Sequence, residues 1–336
     1  MYYCGIDQAS KASAICVMND EGKIVAEFEI ATDVDGFRSG LSRWSGLHCV
    51  VEASPLAEWA AQVLEAADHD VVIIDPRKAK AVIQTKKKTD RLDARNLARM
   101  ARTGWYTAVH RKSVPARLLR SQLQARRGLV ETANAMNARI RGLLRAHGVK
   151  LGPVSAAEFE RRVREVAKAE QRDLWSLLRP LCRVWREAVR EAEALRKRVE
   201  AQSRQEAVTR RLMSVPGVGP LVATAFIATI DDPRRFQRGD QVAAYLGLAP
   251  SVHQSGETEY RGRITKEGDG LLRWLLVEAA HVLLTRTKQN CELKRWGLRL
   301  SRKKGHGKAR VAVARKLAML LHRLWLSGET FDWQRA

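Results

Sequence analysis

The order of the short apolar segments in the first hundred residues limits the folds that this chain can adopt. Strand-like segments lie at residues 2–7, 14–18 and 23–30, all before the first segment with helical periodicity. Residues 19–22, Asn-Asp-Glu-Gly, separate the second segment from the third and are typical of a hairpin turn. Three strands before the first helix exclude a doubly wound nucleotide-binding domain, in which strands and helices alternate from the beginning.

The next segments alternate between helix and strand. We predict helices at residues 34–44 and 56–67, buried strands at residues 48–52 and 71–74, and then a further helix. The resulting order, βββαβαβα, is that of an RNase H-like α/β domain. We expect this domain to occupy residues 1–112.

The segment from residue 113 to residue 210 is predicted to form two long helices with a heptad pattern. Spacings of four and three residues alternate on both sides of a break at residues 148–153. The first series comprises Leu119, Leu123, Arg126, Val130, Ala133, Asn137, Ile140 and Leu144, and the second comprises Leu174, Leu178, Leu181, Trp185, Ala188, Ala192, Leu195 and Val199. Such helices are typical of an antiparallel coiled-coil hairpin or a dimerisation arm, although two core helices of a bundle would show the same pattern. Pro180 lies inside the second series and is expected to kink the helix or mark its start.

Residues 211–336 are predicted to form a mostly α-helical C-terminal domain with glycine and proline at its turns. Residues 213–220 are typical of a helix-hairpin-helix, in which Gly217 and Gly219 would expose backbone N–H groups that bind a phosphate. An ordinary turn between packed helices would have the same sequence. Further along, residues 301–307 are predicted to form a basic loop before an apolar helix.

The chain carries a large positive charge that is unevenly distributed. It has 60 Lys and Arg residues against 37 Asp and Glu, which gives a formal net charge of +23. Residues 1–70 hold 4 basic and 12 acidic residues, so the remainder of the chain carries a net charge of +31. Because a charge of this size opposes compaction unless a polyanion shares the surface, nucleic acid is the partner that the composition favours. An acidic catalytic pocket beside a long basic surface would account for the segregation.

Cysteine usage and the apolar segments favour a cytoplasmic protein over a secreted or membrane-bound one. The five cysteines show no C-x-x-C spacing, which argues against both a disulfide framework and a zinc site. The first residues lack the basic region followed by an apolar region that a signal peptide requires. An uncharged run at residues 212–230 contains two prolines and two glycines, which argues against a membrane span.

Four acidic residues lie where they could form a metal site. Asp7 ends the first predicted strand, and Glu52 ends a buried one. Asp90 and Asp93 lie three residues apart, and with Thr89 as the N-cap of a helix both would lie in the first turn, on one face. Clustered carboxylates suit Mg²⁺ or Mn²⁺, and a pair of such ions can catalyse phosphodiester cleavage.

Basic residues flank the two aspartates and would hold the phosphates of a substrate. They are Lys86, Lys87, Lys88, Arg91 and Arg95. The alternative interpretation is structural: Asp90 and Asp93 would only complement the helix dipole, and Asp7 would be a turn residue.

A second candidate site lies in a glycine-rich, basic stretch of the C-terminal domain. Ser255 precedes a glycine there, and a hydroxyl in such a loop becomes a nucleophile when a base, a metal or a cluster of cations activates it. Arg263, Lys266 and Arg273 follow in the sequence and are candidate phosphate contacts. Tyr260 is the rival nucleophile, and an ordinary loop serine is the structural alternative.

Motifs from both halves of the chain occur in the order found in one group of transposases. They are Gly5-Ile-Asp7, Val51-Glu52-Ala-Ser54, Ile74-Asp75-Pro76, Lys88-Thr-Asp90-x-x-Asp93-Ala and Ser255-Gly. Over nearly its whole length the chain resembles the insertion-sequence recombinases that have an N-terminal RuvC-like DEDD domain and a C-terminal serine transposase domain. This group includes the bridge-RNA-guided recombinases and the Piv-type DNA invertases. After the glutamate the group usually has Ala-Thr/Ser-Gly, whereas Pro55 and Leu56 follow Ser54 here.

The resemblance implies a metal-binding tetrad of Asp7, Glu52, Asp90 and Asp93, with Mg²⁺ or Mn²⁺ as cofactor. It implies that Ser255 is the nucleophile that forms a covalent phosphoserine link to a cleaved DNA strand. It also implies a structured guide RNA, encoded by the element itself, whose loops pair with donor and target double-stranded DNA. A homo-oligomer, either a dimer or a tetramer, and a location at the bacterial nucleoid are further implications.

Three other functions remain open from the sequence. A Holliday-junction resolvase or related nuclease would use the four acids and would not need Ser255. A DNA- or RNA-binding scaffold without enzymatic activity would need neither site. A Piv-type invertase would invert a DNA segment rather than transpose it.

The charge distribution predicts a steep salt dependence of nucleic-acid binding. Lys and Arg residues that neutralise phosphates release counterions, so the logarithm of the association constant should fall against the logarithm of salt concentration by about 0.7–0.9 per phosphate contacted. Fluorescence anisotropy with labelled RNA and duplex DNA at increasing salt measures this slope. An affinity that stays constant as salt rises would contradict the assignment of the charge to nucleic acid.

Overall fold

The computed structural model describes residues 1–75, 89–169, 174–255 and 258–334. The chain divides into two compact units, Met1–Lys112 and Ser113–Ala336, and each unit is described by itself. The predicted helical segment 113–210 and the C-terminal segment 211–336 both fall within the second unit. Their assignment as separate functional domains stays a prediction.

A five-stranded mixed sheet forms the centre of the first unit. Its strands are β1 (Tyr2–Gln8), β2 (Ala12–Asn19), β3 (Ile24–Ala31), β4 (His48–Glu52) and β5 (Asp70–Ile74). The strand order in space is β3-β2-β1-β4-β5, with β1 antiparallel to β2 and parallel to β4. This arrangement confirms the predicted succession of strands and is consistent with an RNase H-like domain.

The predicted hairpin turn joins β2 to β3. The Asn19 side chain accepts a hydrogen bond from the Lys23 amide at 2.9 Å, and the Gly22 amide donates to the Asn19 carbonyl at 3.0 Å. Gly22 has a φ of +83°, a backbone region that glycine adopts without strain. The local sequence at residues 19–22 therefore determines this turn between β2 and β3, as predicted.

In the described part of the first unit, three helices cover the two faces of the sheet. Helices α1 (Val34–Leu41) and α2 (Ala57–Glu65) share a core with Ile6 and Val51 on one face. Helix α3 (Asp90–Thr103) packs on the other face. Helix α1 ends three residues earlier than predicted, because the backbone at Ser42 and Trp44 closes a turn back onto the last residues of the helix.

A close backbone contact fixes α3 against β1. A Cβ atom added at Gly5 would lie 2.0 Å from the Ala94 carbonyl oxygen and 2.2 Å from the Ala98 nitrogen. Only glycine allows this approach, since any side chain would push the helix off the sheet. At the other end of α3, Met100 shares a core with Tyr3, so the helix runs opposite to β1.

Two long helices begin the second unit and pack in opposite directions. They are α4 (Val114–Ala146) and α6 (Leu174–Gln205), with the shorter α5 (Phe159–Ala169) between them in the sequence. The C-terminal part of α4 shares a core with the first half of α6, whereas Leu123 near the start of α4 shares one with Val199. This is the antiparallel hairpin that the heptads predict, while its description as a coiled coil stays a prediction.

The buried face of α6 differs in part from the predicted series. Cys182 is fully buried, whereas the heptad position Leu181 is only partly buried. Pro180 lies inside the helix and does not mark its start. The shift occurs because α6 packs against α5 as well as α4, and two neighbours bury a wider stripe than one.

Among the described residues that follow α6, the regular elements are helices apart from one two-stranded hairpin. Its elements are α7 (Ala207–Leu212), α8 (Pro220–Ile230), α9 (Gly239–Tyr245), β6 (Pro250–Ser255), β7 (Thr258–Ile264), α10 (Gly270–Thr285), α11 (Glu292–Lys304) and α12 (His306–Ser327). Helices α8, α10 and α12 contribute most of the buried core, which includes Phe226, Leu276 and Leu317.

The predicted basic loop at residues 301–307 is wrong. Helix α11 continues to Lys304, and α12 begins at His306 after a single break at Gly305, where φ is +83°. Arg302, Lys303 and Lys304 form the last turn of α11, where positive charge complements the carboxyl end of the helix dipole. These basic residues are therefore helix-stabilising as well as exposed.

The state of the cysteines and the hydropathy of the helices can be read from the structure. All five cysteines are buried and unpaired in disulfides. Across the ranges that the structure describes, no helix combines the length and the apolar character needed to cross a bilayer.

Substitution of Gly5 by Ala is predicted to destabilise the first unit. The added Cβ would overlap the backbone of α3, and overpacking of this kind costs about 1–3 kcal/mol or more. Urea denaturation measures the change in the free energy of unfolding. Gly128→Ala is the matched control, because nothing lies within 4 Å of a Cβ at that helical position and alanine there should be neutral or stabilising. Equal stability of the two variants would contradict the close contact.

Candidate active site

Asp7 and Glu52 lie at the carboxyl ends of two neighbouring parallel strands. The register of β1 and β4 pairs Ile6 with Val51, so Asp7 and Glu52 come next in the same register. Their side chains fall on the face that α3 covers, because Gly5 and Val50, two residues earlier, face that helix. Both acids are half-buried.

Asp90 and Asp93 lie in the first turn of α3, as predicted. Thr89 is the N-cap: its hydroxyl accepts a hydrogen bond from the Leu92 amide at 3.3 Å. The Asp93 amide donates to the Thr89 carbonyl at 3.0 Å. Asp90 is exposed and Asp93 is half-buried.

The direction of α3 brings the four acids to one edge of the sheet. Because the helix runs opposite to β1, its first turn lies toward the carboxyl ends of β1 and β4. Within the described ranges, no three Asp, Glu, His or Cys side chains are grouped closely enough to hold a metal ion. The acids therefore share an edge without forming a closed ligand set. All of their donor atoms are carboxylate oxygens, and this donor set fits a hard divalent cation such as Mg²⁺.

Two residues beside the acids were not selected from the sequence. The Ser54 hydroxyl donates to the Gln8 Oε1 at 3.2 Å and accepts from the Leu56 amide at 3.2 Å. Ser54 thus closes the turn after Glu52 and leads into α2, which explains how the chain accommodates Pro55 and Leu56 there. The Nε2 atom of Gln8 is buried without a hydrogen-bond partner in the described structure. In the sequence, the position of Ser54 two residues after the strand-terminal Glu52 could have indicated this role.

The basic residues near the aspartates have different surroundings. Lys86, Lys87 and Lys88 lie outside the described residues. Arg91 is exposed, whereas Arg95 forms a two-point ion pair with Glu27 on β3, in which the Nη2–Oε2 distance is 2.7 Å. The hydrogen bonds and charge of Arg95 hold the pKa of Glu27 below its usual value. Arg95 therefore anchors α3 to the sheet, and its predicted contact with phosphate stays a prediction.

Ser255 is the last residue of β6 and pairs with Thr258 in the register of the β6–β7 hairpin. The nucleophile predicted from the sequence therefore lies at the tip of this hairpin, although its side chain is outside the described residues. Tyr260, the rival nucleophile, lies on β7 opposite His253, and 66% of its surface is exposed.

The other predicted phosphate contacts divide into packed and accessible groups. Gly217 has a φ of +85°, and a Cβ there would lie 2.4 Å from the Ala279 carbonyl oxygen, so this glycine allows the turn to pack on α10. Gly219 is the N-cap of α8 and has open space around it. Arg263 and Lys266 are exposed. Arg273 donates through Nη1 to the carbonyl oxygens of Leu246 and Glu267, at 2.9 and 2.8 Å.

Comparison with known proteins identifies the family. A family model described as the IS116/IS110/IS902 transposase family matches residues 209–295, and a DEDD transposase model matches residues 4–148. The chain is 30% identical over 289 residues to a probable family 20 transposase from Pseudomonas aeruginosa, with 84% of this chain and 85% of the relative covered. The chain belongs to the IS110/IS116/IS902 family of insertion-sequence transposases.

Other relatives of this transposase have similar names. It is 28% identical over 338 residues to the transposase for insertion sequence element IS1111A from Coxiella burnetii, which covers 97% of this chain and 90% of the relative. It is 27% identical over 278 residues to a putative transposase from Sinorhizobium fredii, over 81% of this chain and 70% of the relative. The DEDD transposase model, which matches residues 4–148, covers all four acids, and the model that matches residues 209–295 covers Ser255.

The ion pair between Glu27 and Arg95 predicts a pH-dependent contribution to the stability of the transposase. Because the pKa of Glu27 is lowered in the folded state, this stabilisation is present above the unfolded-state pKa and is lost as pH falls through the folded-state value. Glu27→Gln should lower the free energy of unfolding by about 1 kcal/mol at neutral pH, with little effect at strongly acidic pH. Glu29→Gln, an exposed site on the same strand, is the control. A difference that persists unchanged at low pH would contradict this prediction.

Proposed function

We propose that this transposase cuts and rejoins DNA strands of an insertion sequence through a covalent intermediate on Ser255, with Mg²⁺ or Mn²⁺ held by Asp7, Glu52, Asp90 and Asp93. The observation that carries the proposal is the placement of four acids at one sheet edge by β1, β4 and α3. The family membership and the position of Ser255 at a hairpin tip support it.

The proposed reaction conserves the energy of the phosphodiester bond. The Ser255 hydroxyl oxygen forms a bond to phosphorus, and the bond from phosphorus to the sugar oxygen of the departing strand breaks. The hydroxyl proton passes to water, and the departing sugar oxygen takes up a proton from water to become a hydroxyl. In the rejoining step, the sugar hydroxyl of another strand attacks the phosphoserine and releases Ser255. Since one phosphoester replaces another at each step, no nucleotide cofactor is needed.

The acids have a binding role in this proposal. A divalent cation, when bound, supplies Lewis-acid stabilisation of charge that develops on the phosphate oxygens. Asp7 and Glu52 come from adjacent strands of a rigid sheet, and Asp90 and Asp93 come from a helix that Gly5 holds against that sheet. Ligands placed on rigid elements hold their geometry better than ligands placed on loops.

The proposed partners are double-stranded donor and target DNA and a structured guide RNA encoded by the element. The net charge of +31 outside the first 70 residues supports a polyanionic partner of large size. Arg91, Arg263 and Lys266 are exposed, and Lys86, Lys87 and Lys88 are proposed to contribute from beside the acids. The guide RNA rests on the family resemblance, and DNA is the substrate that any transposase of this family acts on.

A homo-oligomer, either a dimer or a tetramer, is part of the proposal. On α6, Leu177 and Val184 lie seven residues apart and are 66% and 48% exposed. On α4, Leu118 and Leu143 are 67% and 46% exposed. Exposed apolar side chains on the outside of a helical hairpin, two of them with heptad spacing, favour association with a second copy.

A nuclease of the resolvase type, acting without a covalent intermediate, is the second candidate. It would need the same four acids and would leave Ser255 without a role. A Piv-type invertase is the third candidate, and it would share the covalent step with the main proposal. The experiment that separates the main proposal from the nuclease is the detection of a protein–DNA adduct.

Incubation of the transposase with DNA from its element ends, RNA transcribed from the element and Mg²⁺ should yield an adduct that survives a denaturing gel. Ser255→Ala should abolish the adduct because the attacking oxygen is missing. Asp90→Asn should reduce strand cleavage by orders of magnitude, since it removes one ligand charge, while RNA binding persists.

Tyr260→Phe is the matched control, because Tyr260 lies on the same hairpin and carries the rival hydroxyl. It should retain the adduct. Strand cleavage without an adduct would favour the nuclease, and loss of the adduct in Tyr260→Phe rather than Ser255→Ala would assign the nucleophile to the tyrosine.

A further inference from the structure

The hairpin that carries Ser255 extends well beyond its base. Below Pro250 and Ile264, the strand pairing continues with hydrogen bonds from the Thr265 amide to the Ala249 carbonyl at 3.0 Å and from the Lys266 amide to the Gly247 carbonyl at 3.1 Å. Ser255 lies six residues beyond Ala249, which corresponds to about 20 Å at roughly 3.3 Å per residue. Within the described part of the chain, the two hairpin strands contact mainly each other, and Ile264 near the base packs against the core of the unit.

The base of the hairpin is packed tightly. Gly247 has a φ of +67°, and a Cβ there would lie 2.1 Å from the Glu267 carbonyl oxygen. Gly268 has a φ of +76°, and a Cβ there would lie 2.1 Å from the Tyr245 carbonyl oxygen. The two chain segments at the base therefore touch through their backbones, and the flanking Leu248 is buried in the core of the unit.

Polar side chains join this base to two helices. Arg273, one turn into α10, donates to the carbonyl oxygens of Leu246 and Glu267 on the two sides of the base. Asp269 follows the second segment directly and caps α10, since its Oδ1 accepts from the Leu272 amide at 2.8 Å. Its Oδ2 accepts from the Nη1 of Arg120 on α4.

The pair between Arg120 and Asp269 is shielded from solvent. The side chains are 28% and 13% exposed. Burial alone would raise the pKa of Asp269, but the Leu272 amide and the charge and hydrogen bond of Arg120 outweigh it, so the net pKa lies below the usual value. The carboxylate is therefore ionised at neutral pH and holds the guanidinium in a fixed place.

Because the hairpin is long, a small rotation at its base produces a large displacement at its tip. A rotation of about 3° at the base moves a point about 20 Å away by about 1 Å, and a misplacement of about 1 Å at a reacting atom can cost about 100-fold in rate. The contacts at the base therefore decide where the backbone of Ser255 lies.

We propose that Arg120 is a positioning residue for Ser255. Through its ion pair with Asp269, Arg120 links helix α4 to the base of the β6–β7 hairpin and so fixes the orientation of the hairpin. The inference rests on the proposed function of Ser255, because it assigns the geometry of that nucleophile to residues far from it in sequence. Arg273 braces the same base from α10. Helix α4 and the hairpin that carries Ser255 are therefore linked, and a bound nucleic acid or a second copy that displaced α4 would also move Ser255.

The test uses variants that remove the charge pair and keep the local structure. Arg120→Met keeps the length of the side chain, and Asp269→Asn keeps an oxygen that can cap α10. Arg127→Met is the matched control, because Arg127 lies on the same helix and its ion pair in the described structure is with the exposed Glu131. Each full-length variant is examined for adduct formation with the element DNA and RNA, for nucleic-acid affinity, for melting temperature and for amide hydrogen exchange in β7.

Arg120→Met and Asp269→Asn should each slow adduct formation by about 10- to 100-fold and speed hydrogen exchange in β7, with affinity and melting temperature close to those of the wild type. The double variant should be no slower than the slower single variant, since both changes break one link. Arg120→Lys should restore part of the rate, and Arg127→Met should match the wild type.

Several outcomes would overturn the proposal. Amide hydrogen exchange in β7 that stays at the wild-type rate would do so, as would rate effects of the two single variants that multiply in the double variant. A loss of nucleic-acid affinity large enough to account for the slower adduct formation would also contradict it. So would hydrogen exchange that rises equally in α8 and α10, because that would indicate general destabilisation. If the wild type forms no adduct, the proposed function fails, and the exchange measurements still decide whether Arg120 holds the hairpin.

Discussion

The contact between the backbone of α3 and the backbone of β1 at Gly5 is the constraint on which the first unit depends. Because Gly5 has no side chain, Ala94 and Ala98 approach the strand directly, and α3 takes a fixed position and direction on the sheet. The first turn of that helix then lies at the edge where β1 and β4 end. Asp7 and Asp93 share an edge as a consequence of this backbone packing, and the Arg95–Glu27 ion pair adds a second contact between the helix and the sheet.

In the second unit, the position of Ser255 depends on the contacts at the base of its hairpin. The hairpin with Ser255 has little packing of its own in the described structure, so its orientation depends on a dense base of backbone contacts at Gly247 and Gly268. Two arginines, Arg120 and Arg273, then join this base to helices α4 and α10. In the proposed reaction, a projecting hairpin would let Ser255 reach a phosphodiester of bound DNA, and the polar contacts at the base would fix the orientation of the hairpin.

Arginine serves two purposes in this transposase, and only the structure separates them. Arg95 and Arg273 occur in basic segments, yet Arg95 pairs with Glu27 and Arg273 bonds to backbone carbonyls. Arg91 and Arg263, a few residues away from them in sequence, are exposed. A net charge therefore overstates the number of groups that face nucleic acid, because a planar guanidinium with five donors is also well suited to joining elements within the fold.

The sequence by itself determined the features that depend on neighbours along the chain. The succession of strands along the first unit, the Asn19–Gly22 turn and the start of α3 at the Thr89 cap all follow from periodicity and from hydrogen bonds that span two to four residues. Membership of the transposase family was likewise accessible, since its motifs are short and contiguous. The tertiary structure alone decided that residues 301–304 are helical, that Cys182 is buried in preference to Leu181, and that Arg120 meets Asp269. Those outcomes depend on partners far away in the sequence, and the energy of such a contact exists only after the chain has folded and brought the two groups together.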